Sequence, residues 1–283
     1  MTNCSITLAG DGHGAKALVA AFDSANYDLK LLSNDAEVLQ QLKKNDRRIY
    51  SLNGLAGDII ICSGYMKIID ECVIKRNTVL NIHPSLLPKF RGRHSLAWAL
   101  LNGEKTVGYT MHLMDKNIDT GHIVYQFKME NKGQPIGQIW NEFHKDVIAS
   151  IPKITEKFMS KKLSPQPQVA HLSSYFPKRE WKDCFITPKS TIIDMRRFIQ
   201  VMSAPYPRPQ VSFGGLDCYA LDYQLHKKRV DNKVGKIVAV SANAIEMQLL
   251  DGTLLLKHIR KTIDDALIKP TDYFKKGDTY MNE

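Results

Sequence analysis

Asn81 and His83 lie in Asn81-Ile82-His83-Pro84-Ser85-Leu86-Leu87-Pro88, and a carboxylate follows in Asp119-Thr120-Gly121. An amide, an imidazole and a carboxylate are the groups an enzyme gathers to move an acyl unit onto an amine. When an amine attacks a formyl carbon, negative charge develops on the oxygen, and a preorganised donor such as an Asn amide or a cationic imidazole stabilises it. A carboxylate bonded to the imidazole fixes its tautomer, favours its protonated form and stands ready to take the proton that the amine must lose. Taken alone, the same residues also fit a satisfied histidine with an Asn capping the turn before Pro84.

The elements that must position these groups can be read from periodicity. Alternate side chains of an extended segment share a face, so Asn81 and His83 emerge together at the carboxyl end of the strand TVLNIHP, and Asp119 must be brought in by the fold. Ligands of open α/β sheets sit at that edge. SITLAG reads as a buried strand entering the turn Gly10-Asp11-Gly12-His13-Gly14, followed by the helix AKALVAAFDSA; Ile49 to Leu52 is a short strand, and DIIICSG is a continuous apolar strand of the parallel kind. HSLAWALLNG is a helix closed by Gly103, TVGYTMHLM and IVYQFKME are strands, and Gly137 to Lys161 is a long amphipathic helix ended by the LSPQPQ turn. After about residue 182 the texture changes. The helix TIIDMRRFIQVMSA and the rigid turn PYPRPQ lead into short β runs separated by Gly, Asp and Asn turns. The expected architecture is α/β, with a Rossmann-like domain over 1–182 and a smaller β-rich domain over 183–283.

The chain has 283 residues, 43% hydrophobic and 24% charged, which suits a globular protein and excludes disordered and fibrous classes. No apolar run approaches bilayer length and MTNCSITLAG lacks a basic start with a long apolar core, so the expected location is cytoplasmic with no membrane partner. Cys4, Cys62, Cys72, Cys184 and Cys218 are odd in number and contain no C-x-x-C, which predicts reduced structural thiols and no metal site. The net charge of +10 arises from dispersed Lys and Arg, with clusters at Lys43 to Arg48, Lys178 to Lys182 and His226 to Arg229. These fit solvated faces, and a basic chain suits small polyanions as well as nucleic acid.

From Asp58 to Val124 the chain resembles the N10-formyltetrahydrofolate-dependent formyltransferase superfamily. The resemblance rests on a hydrophobic strand ending in Gly64-Tyr65-Met66-Lys67-Ile68-Ile69, then NIHPSLLP, the Phe90-Arg91-Gly92 segment, a helix, Gly108-Tyr109-Thr110-Met111-His112 and Asp119-Thr120-Gly121. It implies a Rossmann-like formyltransferase catalytic domain with an OB-like second domain, and Asn81, His83 and Asp119 as the catalytic trio. Within the family, PKFRGRHSLAWALLNGE from Pro88 to Glu104 is similar to sugar-nucleotide N-formyltransferases. The interval before DIIICSGY is shorter than in methionyl-tRNA formyltransferases, and the G-N-G-S loop of the compact glycinamide ribonucleotide enzymes is missing. SYFPKREWKD and SAPYPRP resemble the junction to a second domain, with Arg208 where a glycine is usual.

The resemblance implies N10-formyltetrahydrofolate as co-substrate, no metal, and a nucleotide-linked acceptor. The expected acceptor is a dTDP-linked 4-amino-4,6-dideoxy sugar for O-antigen and lipopolysaccharide biosynthesis, with UDP- and GDP-linked sugars open. Met66, Ile68 and Ile69 would line the pterin pocket, with the loop Asp115 to Asp119, including Ile118, supplying backbone contacts. Phe90, Arg91, Arg93 and Lys67 would face the acceptor substrate. An Arg-Gly-Arg turn equally fits a structural clamp, and Trp98 equally fits the core. The backbone N–H groups of Gly12 and His13 could approach a pyrophosphate, or the loop is a plain tight turn, since its spacing is not the dinucleotide fingerprint. The expected assembly is a homodimer through the second domain with no nucleic-acid partner. The alternatives are a methionyl-tRNA formyltransferase and a non-catalytic folate- or RNA-binding module.

Overall fold

Four-residue runs such as Ile59–Cys62 and Ile6–Ala9 are buried at every position, the pattern of strands covered by structure on both faces. In the computed structural model, which describes residues 6–24, 27 and 29–280, these runs form the centre of a seven-stranded sheet. Cys4, Ser5 at the start of the expected first strand, and Ala25 at the end of the expected first helix lie outside the described residues.

The elements of the first half run in order β1 (Ile6–Ala9), α1 (Gly12–Ser24), β2 (Leu29–Leu32), α2 (Ala36–Leu39), β3 (Arg47–Arg48), β4 (Ile59–Cys62), α3 (Glu71–Arg76), β5 (Thr78–His83), β6 (Arg91–Gly92), α4 (Ser95–Leu101), β7 (Thr106–Leu113), β8 (Ile123–Glu130) and α5 (Ile136–Met159). The sheet order is β3-β2-β1-β4-β5-β7-β8. The strands from β3 to β5 are parallel, and β7 and β8 are antiparallel additions. The chain winds outward from β1 through β2 to β3, then returns to β4 on the other side of β1. That reversal makes a crevice at the carboxyl ends of β1 and β4, the usual ligand position in such sheets.

Two details differ from the sequence expectation. The third strand is Arg47–Arg48, not Ile49 to Leu52, although the Ile49 N–H still donates to Leu31 O at 2.9 Å. Helix α1 already includes Gly12, so His13 and Gly14 stand in its first turn and not in the loop. On β7, Tyr109 and Met111 are fully buried, and the Tyr109 hydroxyl donates to Asp146 Oδ2 on α5 at 2.6 Å. Tyr125 on β8 donates to the same oxygen at 3.1 Å, which ties the antiparallel edge of the sheet to that helix.

The chain divides into two compact units, the first comprising Met1–Ala99, Glu104–Asn131 and Ile139–Lys178, and the second Leu100–Gly103, Lys132–Gln138 and Arg179–Glu283. The first also contains β9 (Tyr175–Phe176), paired with β6. The second contains α6 (Ile192–Val201) and the strands β10 (Gln210–Phe213), β11 (Leu216–His226), β12 (Ile237–Val240), β13 (Ala244–Gln248) and β14 (Thr253–Lys261). They form an antiparallel sheet in the order β10-β11-β14-β13-β12 around a core that includes Met195, Ile237, Met247, Leu254 and Ile259. Thr191 and Asp194 close a reciprocal capping box at the start of α6.

Gln248 is fully buried in this second unit. Its Oε1 accepts from the N–H groups of Val230 and Asp231 at 2.9 and 2.8 Å, and its Nε2 donates to Leu249 O and Gly252 O at 2.9 and 2.8 Å. Gln248→Leu strands those four backbone groups and is expected to lower stability by about 1–3 kcal/mol in urea unfolding. Among the described cysteines, Cys62, Cys184 and Cys218 are buried as expected of structural thiols, whereas Cys72 is exposed on α3. No helix among the described residues is long and apolar enough to cross a membrane.

Candidate active site

Strand β5 delivers Asn81 and His83 to one face, and its antiparallel partner β7 sets His112 opposite Asn81 and Thr110 opposite His83. The alternation of the two strands therefore places an N-x-H and a T-x-H side by side. Thr110 is fully buried, donates to Ser85 O at 2.6 Å and accepts from the Leu87 N–H at 3.1 Å. It holds the turn that follows His83.

Two imidazoles converge on Asp119. His83 Nδ1 is 3.5 Å from Asp119 Oδ2, and His112 Nε2 is 3.6 Å from Asp119 Oδ1. The other nitrogen of each ring donates to a backbone carbonyl, His83 Nε2 to Phe90 O at 2.8 Å and His112 Nδ1 to Leu113 O at 2.7 Å. Because a carbonyl only accepts, each of these contacts puts a proton on the nitrogen that makes it and turns the ring's other nitrogen toward the carboxylate. The Asn81 amide nitrogen lies 3.2 Å from His112 Nε2 and donates to it. Asp119 Oδ2 also accepts from the Gly92 N–H at 2.9 Å.

The electrostatics follow from burial and these partners. Burial alone would raise the Asp119 carboxyl. The neighbouring imidazoles of His112 and His83 and the Gly92 N–H outweigh it and hold the group down at about 2. His83 is shifted the other way. Its burial disfavours the charged ring and lowers it below 6.5, against the pull of Asp119 and the bond to Phe90 O. This corrects the expectation of a resident protonated His83 donating to an oxyanion. The neutral ring already spends its one N–H on Phe90, and its free nitrogen faces a carboxylate.

The loop carrying Asp119 is tightly constrained. Asp119 itself has φ 55°, a left-handed conformation that a residue with a side chain adopts at a cost. Asp115 Oδ1 accepts from the Asn117 N–H at 2.9 Å and the Thr120 hydroxyl at 2.6 Å, so its carboxylate serves the loop. A Cβ on Gly121 would sit 1.8 Å from Leu113 O, so the loop lies against β7 only because position 121 has no side chain. Gly121→Ala is expected to cost about 1–3 kcal/mol of stability in chemical denaturation, because either the loop or β7 must move.

The structure reassigns several residues expected at the substrate. Arg91 is buried, and its guanidinium donates to Gln168 Oε1 from Nε and Nη2 at 3.2 and 2.6 Å and to the Tyr175 hydroxyl at 3.4 Å. It is the structural clamp, not a substrate contact. The Phe90 ring is buried and stacked on Phe176 at 5.1 Å, and its contribution to the centre is the carbonyl that His83 meets. Trp98 donates its indole N–H to Pro177 O at 2.8 Å. The Gly12 N–H is already donated to Asp35 Oδ2 at 2.9 Å, and Asp11 accepts from Ser33, Asn34 and Asp35, so two carboxylates occupy the loop expected to approach a pyrophosphate. His13 is exposed on α1, stacked with His144 at 6.0 Å.

Other expected residues do come together. Met66, Lys67, Ile68 and Ile69 line a cavity of about 400 Å³ with Asp11, Ser33, Ile49 and Tyr50, beside the segments that follow β1, β2 and β3; Asn81, His83, His112 and Asp119 are not part of its lining. Ile68 is 93% exposed and Met66 54%, large apolar side chains that the core does not use. Arg93 is exposed and donates to Met66 O at 3.3 Å, while its neighbour Gly92 donates to Asp119, so the turn Gly92-Arg93 joins this loop to the carboxylate loop. Ile118 on the latter is 64% exposed. His112, Thr110 and Gln168 are the site residues that the sequence reading did not assign. The alternation of Thr110 and His112 opposite Asn81 and His83 was the available signal for two of them; nothing local marks Gln168.

A doubly wound sheet with a carboxylate held between two imidazoles at a strand end defines an α/β protein whose titratable groups gather at the carboxyl edge of the sheet. Residues 16–144 match the family model described as formyl transferase. The chain is similar to the methionyl-tRNA formyltransferase of Clostridium tetani, 29% identical over 235 residues covering 81% of this chain and 75% of that protein. It is also similar to the GDP-perosamine N-formyltransferase of Brucella melitensis, 29% identical over 175 residues covering 60% and 66%. In fold it resembles the N-formyltransferase from Helicobacter canadensis solved with folinic acid and dTDP-3-aminofucose, with TM-score 0.69, 16% identity and coverage of 89% of this chain and 98% of that one. The chain spans about half, 51%, of the HypX chain of Aquifex aeolicus solved with tetrahydrofolic acid.

Proposed function

We propose that this protein is an N10-formyltetrahydrofolate-dependent N-formyltransferase that acts in the cytoplasm on the amine of a nucleotide-linked amino sugar. The observation that carries the transferase reading is the convergence of Asn81, His83, His112 and Asp119 at the carboxyl end of β5. The folate supplies the formyl group. The exposed apolar side chains Met66, Ile68 and Ile118 suit a flat heterocycle, and the buried Ile69 lines the same cavity as Met66 and Ile68. The second N–H of the Asn81 amide is the donor for the formyl oxygen as it gains negative charge. His83 Nδ1 and Asp119 Oδ2 are two acceptors facing each other, and together they accept the proton released by the amine. Once protonated, His83 becomes a buried cation beside the developing oxyanion and strengthens its stabilisation.

The sugar-nucleotide reading is supported by the Pro88 to Glu104 segment and by the similarity to GDP-perosamine N-formyltransferase. Arg93 and Lys67, both exposed and both on the turns around this site, suit a diphosphate. The proposed acceptor is a dTDP-linked 4-amino-4,6-dideoxy sugar destined for a surface polysaccharide. The proposed organisation is a catalytic domain over 1–182 and an OB-like domain over 183–283 that pairs two copies. A methionyl-tRNA acceptor is the second reading, because the Clostridium tetani enzyme aligns over 235 residues against 175 for the perosamine enzyme.

The test is formyl transfer by purified protein from N10-formyltetrahydrofolate to dTDP-, UDP- and GDP-linked amino sugars and to initiator methionyl-tRNA. A formylated sugar nucleotide is the expected product. Transfer to tRNA alone would establish the second reading, and folate-independent, salt-sensitive RNA binding without transfer would defeat both.

A further inference from the structure

Gln168 lies beyond α5, in the turn of the LSPQPQ segment, yet every hydrogen-bonding position of its amide is spent on the carboxylate loop and its clamp. Nε2 donates one hydrogen to Asp119 O and the other to Gly121 O, both at 2.8 Å. Oε1 accepts from Arg91 Nε and Nη2 at 3.2 and 2.6 Å. A guanidinium only donates, so Arg91 dictates which end of the amide faces it and leaves the NH₂ for the two carbonyls. A bond to a cation polarises the amide, which makes that NH₂ a stronger donor. The two carbonyls flank the bend in which Asp119 holds φ 55°. Tyr175 adds a third link, taking a hydrogen bond from Arg91 and donating its own hydroxyl to Ile118 O at 3.1 Å.

We propose that Gln168 is a positioning residue, which pins the backbone on either side of Thr120 so that the Asp119 carboxylate stays between His83 and His112. A misplacement of about 1 Å at such a centre costs on the order of a hundredfold in rate. The inference rests on the transferase reading for its rate effect, but the geometry it asserts also has a readout that needs no substrate. Asp119 is the neighbour that favours the charged form of His83, so a carboxylate that drifts away lets the imidazole titrate still lower.

Gln168→Met removes all four hydrogen bonds at similar length, and Gln168→Glu keeps an acceptor for Arg91 while removing both donated bonds. The full chain is assayed for formyl transfer, and His83 is titrated by NMR with labelled imidazoles. Both variants are expected to lose about ten- to a hundredfold in kcat with KM little changed. The His83 titration should move down toward that of Asp119→Asn, and the Gln168→Met/Asp119→Asn double variant should be no slower than Asp119→Asn alone. An unchanged His83 titration in either folded variant, or losses that multiply in the double variant, would overturn the proposal. If Gln168→Met does not fold, Gln168→Glu decides. A wild-type protein that transfers to no acceptor would defeat the transferase reading, while the titration would still decide the role of Gln168.

Discussion

His83→Asn is expected to leave a folded protein that binds folate and transfers formyl groups with kcat lower by about a hundredfold or more. The residue loses both of its functions at once. Its Nδ1 is the nitrogen that faces Asp119, and its Nε2–H is the donor to Phe90 O that orients the ring. Because the ring is 4% exposed, the variant also leaves a buried carbonyl without its donor, at about 1–3 kcal/mol of stability. Circular dichroism and folate affinity separate the two effects: both should stay near wild type at temperatures well below the unfolding transition. Wild-type kcat in the purified variant would remove His83 from the mechanism.

Asp119→Asn should lower kcat by roughly a hundred- to a thousandfold, because a neutral amide can neither share the proton with His83 nor stabilise the imidazolium. The pH dependence has a definite sign. His83 is held below 6.5 in the folded protein, so the neutral ring contributes stability that is present above 6.5 and is lost as pH falls through the folded value. Asp119, lowered from 3.8 to about 2, contributes stability that is present above 3.8 and is lost only as pH falls toward 2. The acid limb of kcat/KM in the wild type should therefore lie below 6.5 where His83 governs it. In Asp119→Asn the His83 titration, followed by NMR, should move further down, since the carboxylate is what opposes the burial term. A titration that rises would mean that the carboxylate is not facing the ring.

The proposed catalytic trio was open to a sequence reading because its signal lies in local motifs. Asn81, His83 and Asp119 sit in motifs dense enough to resemble a family, and the β5 alternation alone puts the first two on one face. The same holds for the elements with strong periodicity, such as Ile59–Cys62, the β7 and β8 hairpin and the long helix α5. Short pieces were not legible. The two-residue strands β6 and β9 pair across a long stretch of chain, and only that pairing explains the conformation of the Arg91-Gly92 turn.

What the sequence could not assign was the direction in which polar groups spend their hydrogen bonds. Arg91 and Phe90 carry the resemblance to a substrate wall, but the fold turns the guanidinium to Gln168 and the ring to Phe176. Gly12 offers an N–H at a helix start, and Asp35 takes it. The sequence by itself determined the chemistry of the centre, because residue type and strand period fix which groups can meet at the end of β5. Only the tertiary structure decided their protonation and their partners, because both depend on burial and on carbonyls contributed by segments far away in the chain. Burial disfavours the charged form of His83, the groups around Asp119 hold its carboxyl low, His112 joins them through the β5–β7 register, and Gln168 joins them through contacts that no local pattern specifies.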